Sequence, residues 1–320
     1  MLKAIARRLP YISRLIAQRN ALAAETRTLA DVIAARDAEI GAIHSELSAN
    51  RLIRTDYPYR PKPRPLPETS GGRELLRRFD AARPAIADVI EGILGHVEAL
   101  RRIPLEADTG PCWRNNWFPA FDAATLYSLI ANKRPRRYVE IGSGYSTRFA
   151  ARAISDLGLD TEIIAIDPQP RADVEALCTE LHLTGLEDFD PGFWQGVGPE
   201  DIVFLDSSHR AFQNSDVTVF FLEILPALPP GTLYGLHDIC LPEDYPEQWL
   251  DRFYNEQYLL AAFLLGGGDD IVLPAHWASQ QPDLHKKLAP LWSSEALLGA
   301  ETHGGGFWMR RRRYDSDSNA

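Results

Sequence analysis

The chain has 320 residues, of which 45% are hydrophobic and 24% charged, the composition of an ordinary globular protein. Its net charge of −10 argues against a general nucleic-acid-binding protein, because such proteins need a basic face to neutralise phosphates. No apolar run approaches the roughly 20 residues that span a bilayer, so no transmembrane segment is predicted. The N-terminus lacks the apolar region and cleavage site of a signal peptide, and Cys112, Cys178 and Cys240 form no CxxC pair. We therefore predict a cytoplasmic protein with reduced thiols.

Residues 1–55 are predicted to form an amphipathic helix. Between residues 11 and 50, apolar residues recur at two positions of a seven-residue repeat. Three interpretations stay open: a coiled coil that makes a homo-oligomer, a helix that packs on its own domain, and a basic helix face on a membrane surface. The first position holds Ile12, Ile33, Ile40 and Leu47, the position three later holds Leu15, Leu22, Leu29 and Ile43, and the interruptions are Arg19, Thr26 and Arg36. The basic face comprises Lys3, Arg7, Arg8, Arg14 and Arg19.

The next two segments connect this helix to the main domain. Residues 56–72 are rich in proline and end in Gly-Gly, so they are predicted to be an extended linker. Residues 73–112 are predicted to be helical over 73–103, with a break near Pro84. The aromatic residues that follow are expected to cap the core or to wall the active site: Trp113, Trp117 and Phe118.

Residues 113–320 are predicted to form an α/β domain. After a helix at 122–132, strands and helices alternate, which indicates a mostly parallel sheet covered on both faces. In such a sheet the carboxyl ends of the strands gather ligands at one edge. Helices are expected within residues 215–228 and 248–265. The predicted strands are 136–142, 161–167, 201–206, 232–238, 270–273 and 305–311, with a short one near 183–186.

The segment VEIGSGYSTRFAARAI carries the first functional motif. A buried strand runs into Gly142-Ser143-Gly144 and then into a helix, the context in which a glycine turn approaches a bound nucleotide. The third glycine of a dinucleotide fingerprint is absent, because Thr147 stands there. Glu140 precedes the turn, where its carboxylate is expected to meet a cationic or amine-bearing ligand. We predict a cofactor site formed by Glu140, Gly142, Ser143, Gly144, Ser146 and Thr147.

Asp167 ends the next strand and is added to this cofactor site. A carboxylate there accepts two hydrogen bonds from a ribose diol, which suits S-adenosylmethionine and NAD equally. The alternative is a helix N-cap, since Pro168 follows.

Polar residues also end the next two strands. Asp206 ends DIVFLD, and His209 follows three residues later; a histidine there can act as general base toward a hydroxyl. His237 and Asp238 end the following strand at the same edge. Asp206, His237 and Asp238 are therefore candidate ligands for Mg²⁺, with a hydrogen-bonded loop as the alternative.

The order of these motifs resembles the class I S-adenosylmethionine-dependent methyltransferases. ExGxG, the strand-end aspartate, DSSH, HD and the closing GGGFWMRR follow the order found in that class. Within it, the segments DIVFLDSSH, LHDICLPEDYPEQW and FYNEQYLLAAFL are most similar to the methyltransferase-24-type family, and DSSH is also similar to macrolide-sugar O-methyltransferases. The resemblance covers about 113–311 and implies a Rossmann-like sheet of seven strands, with the last antiparallel and inserted. It implies that Asp206 and Asp238 bind Mg²⁺ and that His209, with Asp206, is catalytic. His237 departs from the pattern, because an acidic ligand stands there in those enzymes.

The predicted function is O-methylation of a saccharide or natural-product hydroxyl by S-adenosylmethionine, with His209 as the base. The predicted partners are thus a small-molecule or glycan acceptor, and no nucleic acid. Two other functions stay open: an NAD(P)-dependent oxidoreductase and a non-catalytic scaffold that keeps the fold. Candidate residues for the acceptor pocket are Tyr245, Trp249, Asn255 and Tyr258.

Overall fold

The computed structural model describes residues 2–49, 56–170 and 173–313, in two compact units. The first unit extends to Arg60 and the second begins at Pro61. The first unit contains helix α1, Leu2–Ser48, a single helix of 47 residues that confirms the predicted N-terminal helix. Among the described residues no helix is both long and apolar enough to cross a membrane.

The second unit alternates strands and helices from residue 137 onward, as predicted. Its α-helices are α2 (Ser70–Ala81), α3 (Arg83–Leu94), α4 (Val97–Leu100), α5 (Ala120–Lys133), α6 (Tyr145–Leu157), α7 (Asp216–Val219), α8 (Leu225–Ala227), α9 (Glu256–Leu265), α10 (Ala275–Ser279), α11 (Pro282–Lys287) and α12 (Ala289–Trp292). Its strands are β1 (Arg137–Ile141), β2 (Glu162–Ile166), β3 (Glu180–His182), β4 (Ile202–Leu205), β5 (Leu233–Leu236), β6 (Asp270–Pro274) and β7 (Phe307–Arg310). A π-helical turn, Phe220–Ile224, joins α7 to α8. Short 3-10 turns occur at Leu66–Glu68, Glu175–Leu177, Leu186–Asp188, Pro191–Gly196, Glu247–Arg252 and Glu295–Leu297.

The seven strands form one sheet in the order β3-β2-β1-β4-β5-β7-β6. Strands β1 to β5 pair in parallel, whereas β7 is antiparallel to both β5 and β6. This is the α/β sheet with an inserted antiparallel last strand that the family resemblance implies. The carboxyl ends of β1, β2, β4 and β5 therefore lie along one edge.

Close packing at Gly235 holds β7 beside β5. A Cβ at Gly235 would lie 2.7 Å from the Trp308 ring, so only glycine leaves room for this indole on the strand. Trp308 in turn stacks on Phe204 of β4 with ring centroids 5.0 Å apart. Both side chains are fully buried, so the aromatic stack ties three neighbouring strands into one core.

Several predicted boundaries differ from the structure. Helix α2 begins at Ser70, inside the predicted linker, because the Thr69 side chain accepts a hydrogen bond from Gly72 N and caps the helix. The break near Pro84 is confirmed, at Ala82. The short strand predicted near 183–186 is wrong: β3 lies at Glu180–His182, where β2 offers a parallel partner. The helix predicted over 248–265 is a 3-10 turn followed by α9, with Phe253 between them in the left-handed conformation.

Candidate active site

The glycine loop between β1 and α6 is held against the end of β4. Gly142 has a φ of +89°, and a Cβ on it would lie 2.0 Å from the carbonyl oxygen of Asp206. Every other residue type would clash there with backbone. A Cβ on Gly144, by contrast, would meet nothing within 4 Å, so the loop borders open space on that side.

Glu140 lies beneath this loop and is fully buried. Its carboxylate accepts hydrogen bonds from the hydroxyls of Thr147 (2.5 Å) and Tyr138 (3.1 Å), and the Thr147 hydroxyl accepts one from Gly144 N (2.9 Å). Burial raises the pKa of Glu140 to about 7, although hydrogen bonds from Ser146, Thr147 and Tyr138 oppose that rise. In this structure the Glu140 carboxylate holds the loop, and its contact with a cationic ligand stays a prediction. Ser146 and Thr147 are buried as well, so they belong to the loop's support.

Asp167 follows β2 and is half-buried at the same edge. One carboxylate oxygen accepts a hydrogen bond from the Ser143 hydroxyl (2.8 Å), and the other accepts one from Gln169 N (2.8 Å). The structure therefore brings Asp167 to the glycine loop. Each carboxylate oxygen keeps a second lone pair with which to accept from a ligand hydroxyl.

His209 is buried in the loop after β4, with a φ of +59°. Its Nδ1 lies 3.0 Å from Oε2 of Glu256, the first residue of α9, and its carbonyl oxygen accepts a hydrogen bond from Asn255 N (3.0 Å). The ring of Tyr254 packs on the imidazole with centroids 4.7 Å apart. The positive φ costs free energy, and the contacts with the start of α9 hold the loop in that conformation.

His237 is the buried counterpart of His209 at the end of β5. Its Nε2 lies 3.2 Å from Asp122 Oδ2, and its ring packs on Phe118 with centroids 4.9 Å apart. Asp122, on α5, also accepts hydrogen bonds from Gly305 N (2.6 Å) and Gly306 N (2.9 Å). His237 thus belongs to a network that joins α5, β5 and the segment before β7.

Sequence reasoning missed both carboxylates behind the histidines. Glu256 opens an apolar helix and reads as an ordinary first-turn acid, while Asp122 lies 115 residues before its histidine. Both are fully buried, and a buried acid usually has a partner. Nothing in the local pattern indicated which partner.

Asp206 and Asp238 lie between the two imidazoles. Asp206 Oδ1 is 3.5 Å from both His209 Nε2 and His237 Nδ1, and the carboxylate oxygens of Asp238 are 3.4 Å from the same two nitrogens. The side chains of Asp206 and Asp238 are 26% and 20% exposed, whereas those of His209 and His237 are 6% and 3% exposed. A ligand at this edge therefore meets the aspartates first. We call these four residues the acid–histidine cluster.

The surrounding carboxylates change the protonation of both imidazoles. Burial by itself lowers the pKa of His209, but the hydrogen bond to Glu256 and the charges of Asp238, Glu256 and Asp206 outweigh it and raise the pKa to about 9. Burial likewise lowers the pKa of His237, yet Asp206, Asp122 and Asp238 together raise it well above its usual value. Both rings are thus imidazolium near neutral pH when no ligand is bound.

The predicted acceptor residues hold one another rather than line an open pocket. Tyr245 is buried and its hydroxyl accepts a hydrogen bond from Gln257 N, while the Asn255 side chain accepts one from Ala211 N. The Tyr258 hydroxyl donates to Asp244, and Trp249 packs against Tyr245 and Tyr254. Their contacts shape the loop that carries His209.

A cavity of about 390 Å³ opens beside the glycine loop instead. Tyr145, the first residue of α6, borders it, and so does Trp117, whose side chain is 60% exposed. Trp113 and Phe118 are buried in the core, so of the three aromatic residues considered as wall or cap, only Trp117 walls a cavity. The remaining lining residues are Glu106, Ala107, Cys112, Arg114, Asn115 and Asn116.

Comparison with known proteins finds one family match within the second unit. Residues 139–239, which include the glycine loop, Asp167 and the acid–histidine cluster, match a family model described as "Methyltransferase domain". Over these residues the chain is similar to a methyltransferase domain. The match confirms the predicted methyltransferase-24-type resemblance over these residues. No curated protein matches the chain.

Solved structures similar to this chain include three methyltransferases. An SAH-bound enzyme of Podospora anserina is 13% identical, with 82% of this chain and 100% of that chain covered and a TM-score of 0.38. An O-methyltransferase of Bacillus cereus in complex with SAH is 15% identical, with 71% and 91% covered and a TM-score of 0.33. A methyltransferase of the mycinamycin biosynthetic pathway, in complex with Mg, SAH and mycinamycin VI, is 20% identical, with 60% and 50% covered and a TM-score of 0.31.

Proposed function

We propose that the protein is an S-adenosylmethionine-dependent O-methyltransferase that acts on a saccharide or natural-product hydroxyl. One observation carries the proposal: in a methyltransferase domain, the glycine loop, Asp167 and His209 lie on the same sheet edge. Asp167 would bind the ribose diol, and the backbone of Ser143 and Gly144 would border the rest of the nucleoside. When bound, S-adenosylmethionine supplies the methyl group.

His209 is proposed as the general base. Its Nε2 faces the exposed side of the acid–histidine cluster, and Glu256 holds its Nδ1, so the ring orientation is determined before an acceptor arrives. Nε2 would take the proton of the acceptor hydroxyl, while bound S-adenosylmethionine would supply the methyl group through cleavage of its carbon–sulfur bond and leave as the demethylated product. Since the pKa of His209 is about 9 in the free protein, only the neutral minority takes that proton near pH 7. Turnover is therefore expected to rise with pH until His209 is deprotonated.

The acceptor class rests on the cavity beside the glycine loop. Trp117 presents an exposed indole face, and Asn116 adds an amide at the same wall. Glu106 and Arg114, which form an ion pair, add charged hydrogen-bonding groups. An aromatic face beside such groups suits a molecule with both apolar faces and hydroxyls. Trp117 directly precedes Phe118, which packs on His237 of the acid–histidine cluster.

The acid–histidine cluster does not fit the Mg²⁺ site that the resemblance implied. Mg²⁺ requires near-octahedral oxygen coordination, whereas two of the four groups here are imidazoles that turn a nitrogen toward the shared carboxylates. Among the described residues no group of three acidic, histidine or cysteine side chains has the arrangement of a metal site. We therefore derive no step through a metal and assign the two aspartates to holding the histidines.

Isothermal titration calorimetry tests the cofactor, since S-adenosylmethionine and its demethylated product should both bind and NAD should not. The matched variants are Asp167→Ala, which should weaken binding about tenfold through loss of charge-assisted hydrogen bonds, and Asp173→Ala, which should leave it unchanged. Binding of NAD alone would favour the oxidoreductase. Cofactor binding without methyl transfer to any of a panel of saccharides and polyketide glycosides, and without slow hydrolysis of the cofactor, would favour the scaffold.

A further inference from the structure

Helix α1 carries a long apolar stripe in a part of the molecule that the proposed chemistry does not use. Over its described side chains, eight large apolar residues of the seven-residue repeat are between 45% and 63% exposed. A helix normally covers such a stripe. The eight residues are Ile12, Leu15, Leu22, Leu29, Ile33, Ile40, Ile43 and Leu47; together with Arg19, Thr26 and Arg36 we call them the seam.

The residue types along the seam determine what covers it. We propose that α1 pairs with α1 of a second copy of this chain, as a parallel, in-register, two-stranded coiled coil. At the first position of the repeat, three of the apolar residues are isoleucine (Ile12, Ile33 and Ile40). Three of the four apolar residues at the other position are leucine (Leu15, Leu22 and Leu29). Branched residues at the first position with leucine at the second favour two parallel strands over three or four.

The three polar residues of the seam each have a partner within their own helix. Thr26 donates its hydroxyl proton to the carbonyl of Leu22 (2.8 Å), Arg19 binds the Asn20 side chain (2.8 Å), and Arg36 binds Glu39 (2.6 Å). The long arginine side chains can lie along the apolar stripe and keep their charged ends in water. These three residues therefore weaken the seam without interrupting it.

The seam residues that would face one another favour a parallel arrangement of the two helices. In a parallel, in-register pair each seam residue faces its own copy, so eight of the eleven seam layers are wholly apolar. An antiparallel pair stacks the first position on the second, which sets Thr26 against Leu29 or Arg19 against Ile43. A polar residue facing an apolar one loses hydration without gaining a partner, so these registers are disfavoured.

The repeat period also points to a partner helix of the same length. The seam recurs every 3.5 residues on average over five repeats, and this period produces a left-handed supercoil rather than the straight 3.6-residue stripe of a helix on a globular surface. From Ile12 to Leu47 it extends about 54 Å at 1.5 Å per residue. A second α1 offers an apolar surface of this length and period.

Cysteine cross-linking of the full-length chain tests both partner and orientation. Leu22→Cys lies in the seam and should give a disulfide-linked dimer under mild oxidation, because identical seam residues meet in a parallel pair. Ala24→Cys, two residues on and on the opposite helix face, is the control and should not cross-link. In an antiparallel pair, Cys at position 22 would face Ile33 or Ile40 instead. Absence of the Leu22→Cys dimer, or equal cross-linking at position 24, would overturn the proposal.

Mass measurement by light scattering provides the second test. The wild-type chain should have about twice the monomer mass of 35.8 kDa, and Leu29→Lys combined with Ile33→Lys should return it to 35.8 kDa. Ala24→Lys combined with Ala38→Lys adds the same charge away from the seam and should leave the dimer intact. A wild-type monomer, a trimer or a tetramer would overturn the proposal. A wild-type monomer that binds anionic lipid vesicles through its basic residues would instead establish the membrane-surface interpretation.

Discussion

The ends of β4 and β5 offer the same pair of residue types, an aspartate and a histidine, yet the structure gives the two histidines different surroundings. His209 has a strained backbone and a carboxylate from α9 behind it. His237 is packed under Phe118 and shares Asp122 with two backbone amides before β7. A carboxylate behind a histidine can therefore have a catalytic or a structural role. The other hydrogen bonds that the carboxylate accepts indicate which role it has. Within the described part of the chain, His209 is the one side-chain hydrogen-bond partner of the Glu256 carboxylate, whereas Asp122 holds three elements together.

Removing His209 should have the largest effect on turnover. His209→Ala should lower turnover on the order of 10²- to 10⁴-fold, because the acceptor proton then has no positioned base. The affinity for S-adenosylmethionine, measured by calorimetry, should stay unchanged. His182→Ala, which removes a half-buried histidine on β3 outside the acid–histidine cluster, is the control and should keep full turnover. Near-normal turnover of His209→Ala would refute its role as base.

Replacing Glu256 should reveal its effect through the pH profile. The neutral form of His209 is the competent base, so wild-type turnover should rise with pH toward about 9. Glu256→Gln keeps the shape of the side chain but removes the negative charge that raises the pKa of His209. The pH range over which turnover rises, the rising limb of the pH profile, should therefore move to lower pH by about one unit or more. Turnover measured from pH 6 to 10 checks this. Glu247→Gln, an exposed acid near α9, should leave the limb in place, and an unmoved limb in Glu256→Gln would show that Glu256 does not control His209.

Replacing Asp122 should affect stability more than chemistry. Asp122→Asn presents an amide nitrogen where a carboxylate oxygen accepted a hydrogen bond, so a buried donor loses its partner at a cost of about 1–3 kcal/mol. Denaturant unfolding should register this loss, while turnover per folded molecule stays within a few-fold of wild type. Asp80→Asn, in an exposed ion pair, should change the free energy of unfolding by less than about 1 kcal/mol. A larger loss of turnover than of stability would mean that His237 takes part in the chemistry.

Removal of divalent metal ions by a chelator should have the smallest effect on turnover. If Asp206 and Asp238 hold imidazolium rings, extensive dialysis against EDTA should leave turnover unchanged. A more than tenfold loss that Mg²⁺ restores would show that both histidines border a metal site, and the contrast between them would then need revision.

Motif spacing and hydrophobic pattern were sufficient to predict most of the fold. Strand–helix alternation predicted the parallel sheet. Because each candidate site residue follows a strand of that sheet, their convergence at one edge was predictable. These residues are Gly142, Asp167, Asp206, His209, His237 and Asp238. The inserted antiparallel β7 came from the family resemblance, because the pattern of a single strand does not state its direction. The cytoplasmic location and the acceptor identity stay predictions.

The sequence by itself determined the element order, the glycine turn and the identity of the residues that end the strands, since these depend on local periodicity and backbone sterics. Only the tertiary structure decided which groups are free to act. It buried Glu140 beneath the loop, paired the Tyr245 hydroxyl with Gln257 N, set Trp117 at the border of a cavity, and placed Glu256 and Asp122 behind the two histidines. These contacts join residues far apart in the chain, and the packing of whole helices against the sheet, rather than any local pattern, selects them.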